Sequence, residues 1–162
     1  MHCRFFHRAR VNAPVEIAWS VFTEHEKFSE WTDIHWDITT PGKPERDGLG
    51  CIRLGQGQGA APWPVEEVVN YWLPNELYGY HITSGVPVDK HQGIVRFWSK
   101  GPNKSEWVYD MQIRPSQELL DQAPDVYQQL LKSFGFFMQD IEAECERRAS
   151  NIGVPAFPIP VE

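Results

Sequence analysis

The 162-residue sequence has no apolar run long enough to cross a bilayer, no cluster of lysine and arginine, and only three cysteines. Each shortage removes a class of protein. A spanning helix needs about 20 mostly apolar residues. The segment from Met1 to Ala13 alternates polar and apolar residues and lacks even the apolar core of a secretory signal, roughly 7 to 15 residues. The chain is therefore expected in the cytoplasm, without stable membrane insertion. Its 15 Lys and Arg face 22 Asp and Glu, a net charge of −7. That balance argues against nucleic acid, which is held by cationic surfaces that neutralise phosphate. Cys3, Cys51 and Cys145 are odd in number and widely scattered, as suits reduced, buried thiols rather than a disulfide framework.

Motifs for metal, phosphate and nucleophile chemistry are missing too. His2, His7, His25, His35, His81 and His91 show neither a His-Glu-x-x-His spacing nor a Cys-x-x-Cys partner, and Asp33-Ile34-His35 alone is what chance provides, so no metal is expected. The glycines between Gln56 and Pro64 lack the Gly-Lys-Ser/Thr ending and the following helix of a phosphate loop. No Gly-x-Ser-x-Gly elbow occurs, and Cys51 has no basic neighbour in sequence to activate it. No cofactor is implied.

What the sequence does have is a core and a surplus of flat side chains. Hydrophobic residues make up 41% and charged residues 23%, which suits one soluble globular domain. Seven Trp, nine Phe and five Tyr bring aromatics to 13%, more than a core of this size needs, and that excess fits a lined cavity.

Periodicity sets the order of elements. From Cys3 to Val11, Cys3, Phe5, His7, Ala9 and Val11 share one face and three arginines share the other, the pattern of a half-buried strand. Pro14 with Glu16 in the first turn marks a helix start, with Ile17, Val21 and Phe22 as its stripe; a second short helical stretch runs from about His25 to Trp31. Ile34 to Thr39, Gly50 to Leu54, Val65 to Trp72, Leu77 to Thr83 and Gly93 to Ser99 read as strands separated by turns rich in Gly and Pro. In the last strand, Glu106 to Arg114, Trp107, Tyr109, Met111 and Ile113 alternate without a miss. After Pro115 the period changes. Tyr127, Leu130, Leu131, Phe134, Phe137, Met138, Ile141 and Cys145 form the stripe of a helix of about 25 residues, with Glu144 on its polar side. Gly135 within it marks a kink or a close approach to the sheet. Residues 1–152 thus form one domain, and 153–162, with Pro155, Pro158 and Pro160, form a non-helical tail.

A curved antiparallel sheet with one apolar face needs a cover, and the last helix alone is long enough. The run Ala13-Pro14-Val15-Glu16-Ile17-Ala18-Trp19-Ser20-Val21-Phe22, Trp31, Gly48-Leu49-Gly50, Glu66-Glu67-Val68, Tyr78-Gly79-Tyr80 and the Trp107 strand resemble the polyketide cyclase/dehydrase and lipid-transport branch of the SRPBCC (START-like, helix-grip) superfamily. The resemblance implies an α+β helix-grip fold, in which a curved seven-stranded antiparallel sheet wraps a long C-terminal helix and two short helices follow strand 1. It also implies a small hydrophobic partner, whether lipid-like, aromatic or polyketide-like, in a cavity between sheet and helix, as a monomer or a dimer. Alternatively the domain is a cyclase or dehydratase, or a stress-response or co-chaperone interaction domain.

His7, inward between Phe5 and Ala9, is the first acid/base candidate, against the reading of a core histidine satisfied by a neighbour. Glu66 and Glu67 face opposite sides of their strand. One must point inward, either as an acid/base group, with Glu66 the candidate, or paired with an arginine of a neighbouring strand. Trp36, Tyr78, Tyr80, Trp107, Tyr109, Met111, Phe134, Met138 and His7 are the expected ligand wall. The segments Gln56 to Pro64 and Ser84 to Gln92 are expected to gate it.

Overall fold

The computed structural model describes residues 1–56 and 64–152. The tail at 153–162, and all of the first expected gate segment except Gln56 and Pro64, lie outside the described residues. Seven antiparallel strands form one sheet: β1 (Cys3–Val11), β2 (Trp36–Thr40), β3 (Ile52–Gly55), β4 (Val65–Leu73), β5 (Leu77–Ser84), β6 (Val88–Ser99) and β7 (Ser105–Pro115). Their spatial order is β1-β7-β6-β5-β4-β3-β2. β2 to β7 are therefore a meander, and the N-terminal strand returns to pair with the last. Helix α1 (Val15–Thr23) and a 3-10 helix (His25–Glu30) follow β1, and α2 (Gln117–Gln122) and α3 (Val126–Ser150) follow β7. Register shifts in β2, β4 and β6 insert extra residues that bend a sheet, and the concave face so formed receives α3. Among the described residues no helix is long and apolar enough to cross a membrane.

The inward face of β1 is the expected one, with Cys3, Phe5, Ala9 and Val11 buried. On its outer face Arg8 and Arg10 converge on Glu106 of β7, each at 2.7 Å. Two sequence expectations are corrected here. Ser84 to Gln92 is not a long loop: β6 starts at Val88, and Lys90, His91 and Gln92 pair with Arg114, Ile113 and Gln112 of β7. Gly135 makes no close approach, since a side chain there would meet nothing within 4 Å.

Helix α3 divides into two halves. In the C-terminal half Met138, Ile141 and Cys145 are sealed into the main core with α1. Glu144 is buried there as well, contrary to its place on the expected polar side, because Arg147 and Arg148 fold back onto its carboxylate at 2.6 and 2.7 Å. The N-terminal half is looser. Leu130, Phe134 and Phe137 are only partly buried, and Leu131, placed by periodicity on the stripe, is exposed. The C-terminal half anchors the helix, and the N-terminal half roofs a hollow.

Candidate functional site: a cavity under the last helix

The hollow follows from residue size along β6. Between the tyrosines of β5 and β7, β6 contributes only Val95, between Tyr78 and Tyr109, and Gly93, between Tyr80 and Met111. A Cβ on Gly93 would lie 2.5 Å from the Tyr80 ring, so the absence of a side chain there lets that ring lie across the strand. Its hydroxyl thereby reaches and hydrogen-bonds the Tyr109 hydroxyl. Gly55 does the same for Trp36, whose indole would sit 2.8 Å from a Cβ. Two glycines thus let two large rings lie flat across the sheet.

The resulting cavity has a volume of about 210 Å³. Arg53, Tyr78, Tyr80, Tyr109 and Met111 form its floor, Phe22, Phe28, Ile34 and Trp36 its sides, and Leu130, Ser133, Phe134 and Phe137 its roof. The last three aromatic or aliphatic roof residues recur at steps of four and three, so a single face of α3 covers the space. Tyr78 and Tyr80 stack at 5.6 Å, and Phe134 leans on Tyr109 at 5.2 Å.

Among the described residues, Arg53 is the one charged group in this lining. It is a buried arginine on β3, directly opposite Glu67 on β4. Its Nε and Nη2 donate to a single carboxylate oxygen of Glu67 at 3.0 and 2.6 Å, and its guanidinium lies 4.2 Å from the Trp36 ring centre and 4.8 Å from that of Tyr80. Nη1 is buried with no hydrogen-bond partner among the described residues. Burial works against the charge on Arg53, and Tyr78, Glu67 and Tyr80 together more than offset it, so the guanidinium stays protonated. Burial also pushes the Glu67 carboxyl up, with Arg53 opposing. The tyrosine hydroxyls of Tyr78, Tyr80 and Tyr109 are raised by burial and remain neutral. Behind Tyr78 stands His25, whose Nε2 lies 3.1 Å from the Tyr78 hydroxyl. Burial, with the positive charge of Arg53, holds the pKa of His25 down to about 3.

Of the expected wall, the structure places Trp36, Tyr78, Tyr80, Tyr109, Met111 and Phe134 around the cavity. Trp107 and Met138 are fully buried in the core beside it and do not line it. His7 also lies outside the lining: it points toward α3, one-third exposed, with Nε2 2.6 Å from Glu142 and its ring 5.4 Å from Trp107. Glu66 faces away and accepts from Thr83 at 2.7 Å, because Glu67 takes the inward position with its arginine. Burial raises the Cys51 thiol to about 11, which leaves it unreactive. Among the described residues no group of three or more metal-ligating side chains comes together.

Arg53 and His25 escaped sequence reasoning. For Arg53 a signal existed: it alternates with Cys51 and Gly55 on the inward face of a strand whose neighbour carries two adjacent glutamates. For His25 there was none, since its partner Tyr78 is 53 residues away.

A family model described as polyketide cyclase / dehydrase and lipid transport matches residues 2–134. The chain belongs to this family. No curated protein matches it by sequence. Among solved structures, the chain is similar to a START superfamily protein from Mycobacterium smegmatis, with a TM-score of 0.73 and 16% identity over 91% of this chain and 99% of the other. It is similar to the Zhui aromatase/cyclase of a Streptomyces species, with a TM-score of 0.70 and 14% identity over 94% and 99%. Norcoclaurine synthase from Thalictrum flavum follows, with a TM-score of 0.64 and 10% identity over 91% and 96%. At these identities the likeness establishes a shared START-like fold, and function must be argued from the site.

Proposed function

We propose that the cavity binds a small aromatic molecule, one ring or two fused rings in size, with an oxygen substituent at Arg53. The observation that carries the proposal is Arg53, a cation in the lining of a mostly aromatic and aliphatic cavity, whose Nη1 has no hydrogen-bond partner among the described residues. A buried donor without an acceptor is costly, and a ligand oxygen there makes a charge-assisted hydrogen bond. Size narrows the class. An engineered cavity of about 150 Å³ takes up benzene, so about 210 Å³ has room for a second ring or a few substituents, and too little for a long acyl chain. Flat walls offered by Trp36, Tyr80 and Phe134 favour ring stacking. One neighbour of this fold, norcoclaurine synthase, has been solved in complex with dopamine and hydroxybenzaldehyde, which supports the aromatic reading over the lipid one.

Titration calorimetry with 2-naphthol tests this. Saturable one-to-one binding is expected, weakened by roughly tenfold or more in Arg53→Met/Glu67→Leu, the loss of a hydrogen bond to a charged group. Absence of binding, or equal affinity in the double variant, overturns the proposal.

A second reading is favoured by the same guanidinium. A donor fixed beside a ligand carbonyl stabilises the negative charge that develops on an enolate oxygen, as ring closure or dehydration of a polyketide-like precursor requires. In that reading the hydroxyls of Tyr80 and Tyr109, which stay neutral, serve as proton donors, since neither His7 nor Glu66 lines the cavity. Ring closure of a short poly-β-ketone, followed by the absorbance of the aromatic product, tests it; a rate unchanged in Arg53→Met/Glu67→Leu overturns it.

A further inference from the structure

His25 is completely enclosed, yet it sits between two polar partners. Its Nδ1 lies 3.2 Å from Oδ1 of Asp47, a close approach off the ideal line, and its backbone N–H donates to the same oxygen at 3.1 Å. Nε2 meets the Tyr78 hydroxyl at 3.1 Å. Asp47 is partly exposed. Burial works against its carboxylate, but the close approach of His25, its backbone N–H and the charge of Arg46 outweigh it and its pKa is lowered. The three side chains form a line from the surface to the cavity floor, where Tyr78 contributes to the lining.

A neutral imidazole carries one N–H, and its neighbours decide which nitrogen holds it. If Nε2 held the proton, the lone pair of Nδ1 would face the Asp47 carboxylate, acceptor against acceptor. With the proton on Nδ1, that nitrogen faces the carboxylate as a donor and Nε2 becomes an acceptor. The Tyr78 hydroxyl must then donate to Nε2. A phenol has a single proton to give. Once it is committed to His25, the Tyr78 oxygen can only accept from the cavity.

We infer that Asp47 and His25 fix Tyr78 as a hydrogen-bond acceptor, so that the cavity selects a ligand whose oxygen near Arg53 is a hydroxyl, one that donates a hydrogen bond as well as accepting one. The inference rests on the reading of the cavity as a site for an oxygen-bearing aromatic. It narrows that class to phenols and related hydroxy-aromatics, against their methyl ethers and against aromatic ketones without a hydroxyl. His25 is a positioning residue here, and Tyr78 is the group that touches the ligand.

The test compares 2-naphthol with 2-methoxynaphthalene, which keeps the oxygen acceptor and lacks the donor, by titration calorimetry against the wild-type chain, Tyr78→Phe and His25→Phe. Wild type is expected to favour 2-naphthol by about fivefold, the size of one neutral hydrogen bond. In Tyr78→Phe the preference falls to about one. In His25→Phe it falls as well, because the freed Tyr78 proton now serves an ether oxygen equally, and a purely structural role for His25 would weaken both ligands together and leave the ratio in place. A preference that survives both substitutions, or is absent from the wild type, overturns the inference while the aromatic cavity stands. Failure of both compounds to bind the wild type overturns the cavity reading, and this inference with it.

Discussion

Replacing Glu67 with Gln keeps the shape of the side chain and removes its charge. Both members of the Arg53 and Glu67 pair are almost wholly enclosed, with side-chain exposures of 4% and 8%, so solvent cannot screen the guanidinium that remains. Breaking a buried pair by removing one partner costs about 3 to 5 kcal/mol, a large part of the 5 to 15 kcal/mol by which domains are stable. For a chain of this length that corresponds to a fall of roughly 6 to 20 °C in Tm. Asp110→Asn is the control: its partner Arg4 is more than half exposed, and such surface pairs contribute about 1 kcal/mol or less. Arg53→Met/Glu67→Leu removes both charges and is expected to recover most of the loss, since apolar replacement of a buried pair is often neutral. Chemical denaturation of the four proteins at pH 7 decides the matter. A Glu67→Gln chain within about 1 kcal/mol of wild type, or a double variant as unstable as the single one, would refute the placement of this pair in a dry floor.

Three further outcomes follow from the same geometry. Because the pKa of His25 falls from 6.5 to about 3 on folding, the unfolded chain binds the extra proton between those values, and stability is lost as pH falls below 6.5. The loss reaches about 2 kcal/mol at pH 5 at 1.36 kcal/mol per pH unit, and urea unfolding at pH 7 and pH 5 should show that slope reduced by this amount in His25→Phe. Gly93→Ala drives a methyl group into the Tyr80 ring, and overpacking of this kind costs about 1 to 3 kcal/mol; thermal unfolding measures the cost, and 2-naphthol affinity should drop with it. His7→Ala removes a partly exposed contact with Glu142 outside the cavity, so it should change stability by about 1 kcal/mol or less and leave 2-naphthol affinity as it was by calorimetry.

Long, regular patterns were legible in the sequence because local periodicity alone specifies them. β7 alternates through its whole length, and α3 runs the 25 residues that its stripe implies. Elements held by distant partners were less so. The first residues of β6 include Asp89 and Lys90, both exposed, and only pairing with β7 makes them strand. Helix α2 is a single short segment whose N-cap, Ser116, accepts from the Leu119 N–H at 3.2 Å, and its one fully buried side chain, Leu119, sets no period. The surplus of aromatics pointed to a lined space, and the tyrosines on β5 and β7 do surround one. Glu67 turns inward opposite Arg53, but the extra residue Asn70 breaks the alternation of β4 between Val69 and Tyr71, and a one-residue slip reverses a strand's faces. The floor of the cavity is thus set by strand-to-strand contacts, where sequence patterns carry least information.

The central claim, that the hollow between α3 and the sheet receives an aromatic ligand, is tested most directly by following the tryptophan indole N–H signals in NMR spectra as 2-naphthol is added. Trp36 lines the cavity, whereas Trp98 lies exposed outside its lining. A saturable shift of the Trp36 signal with Trp98 unmoved is the expected result. No saturable shift, or a shift of Trp98 while Trp36 stays in place, would contradict the claim.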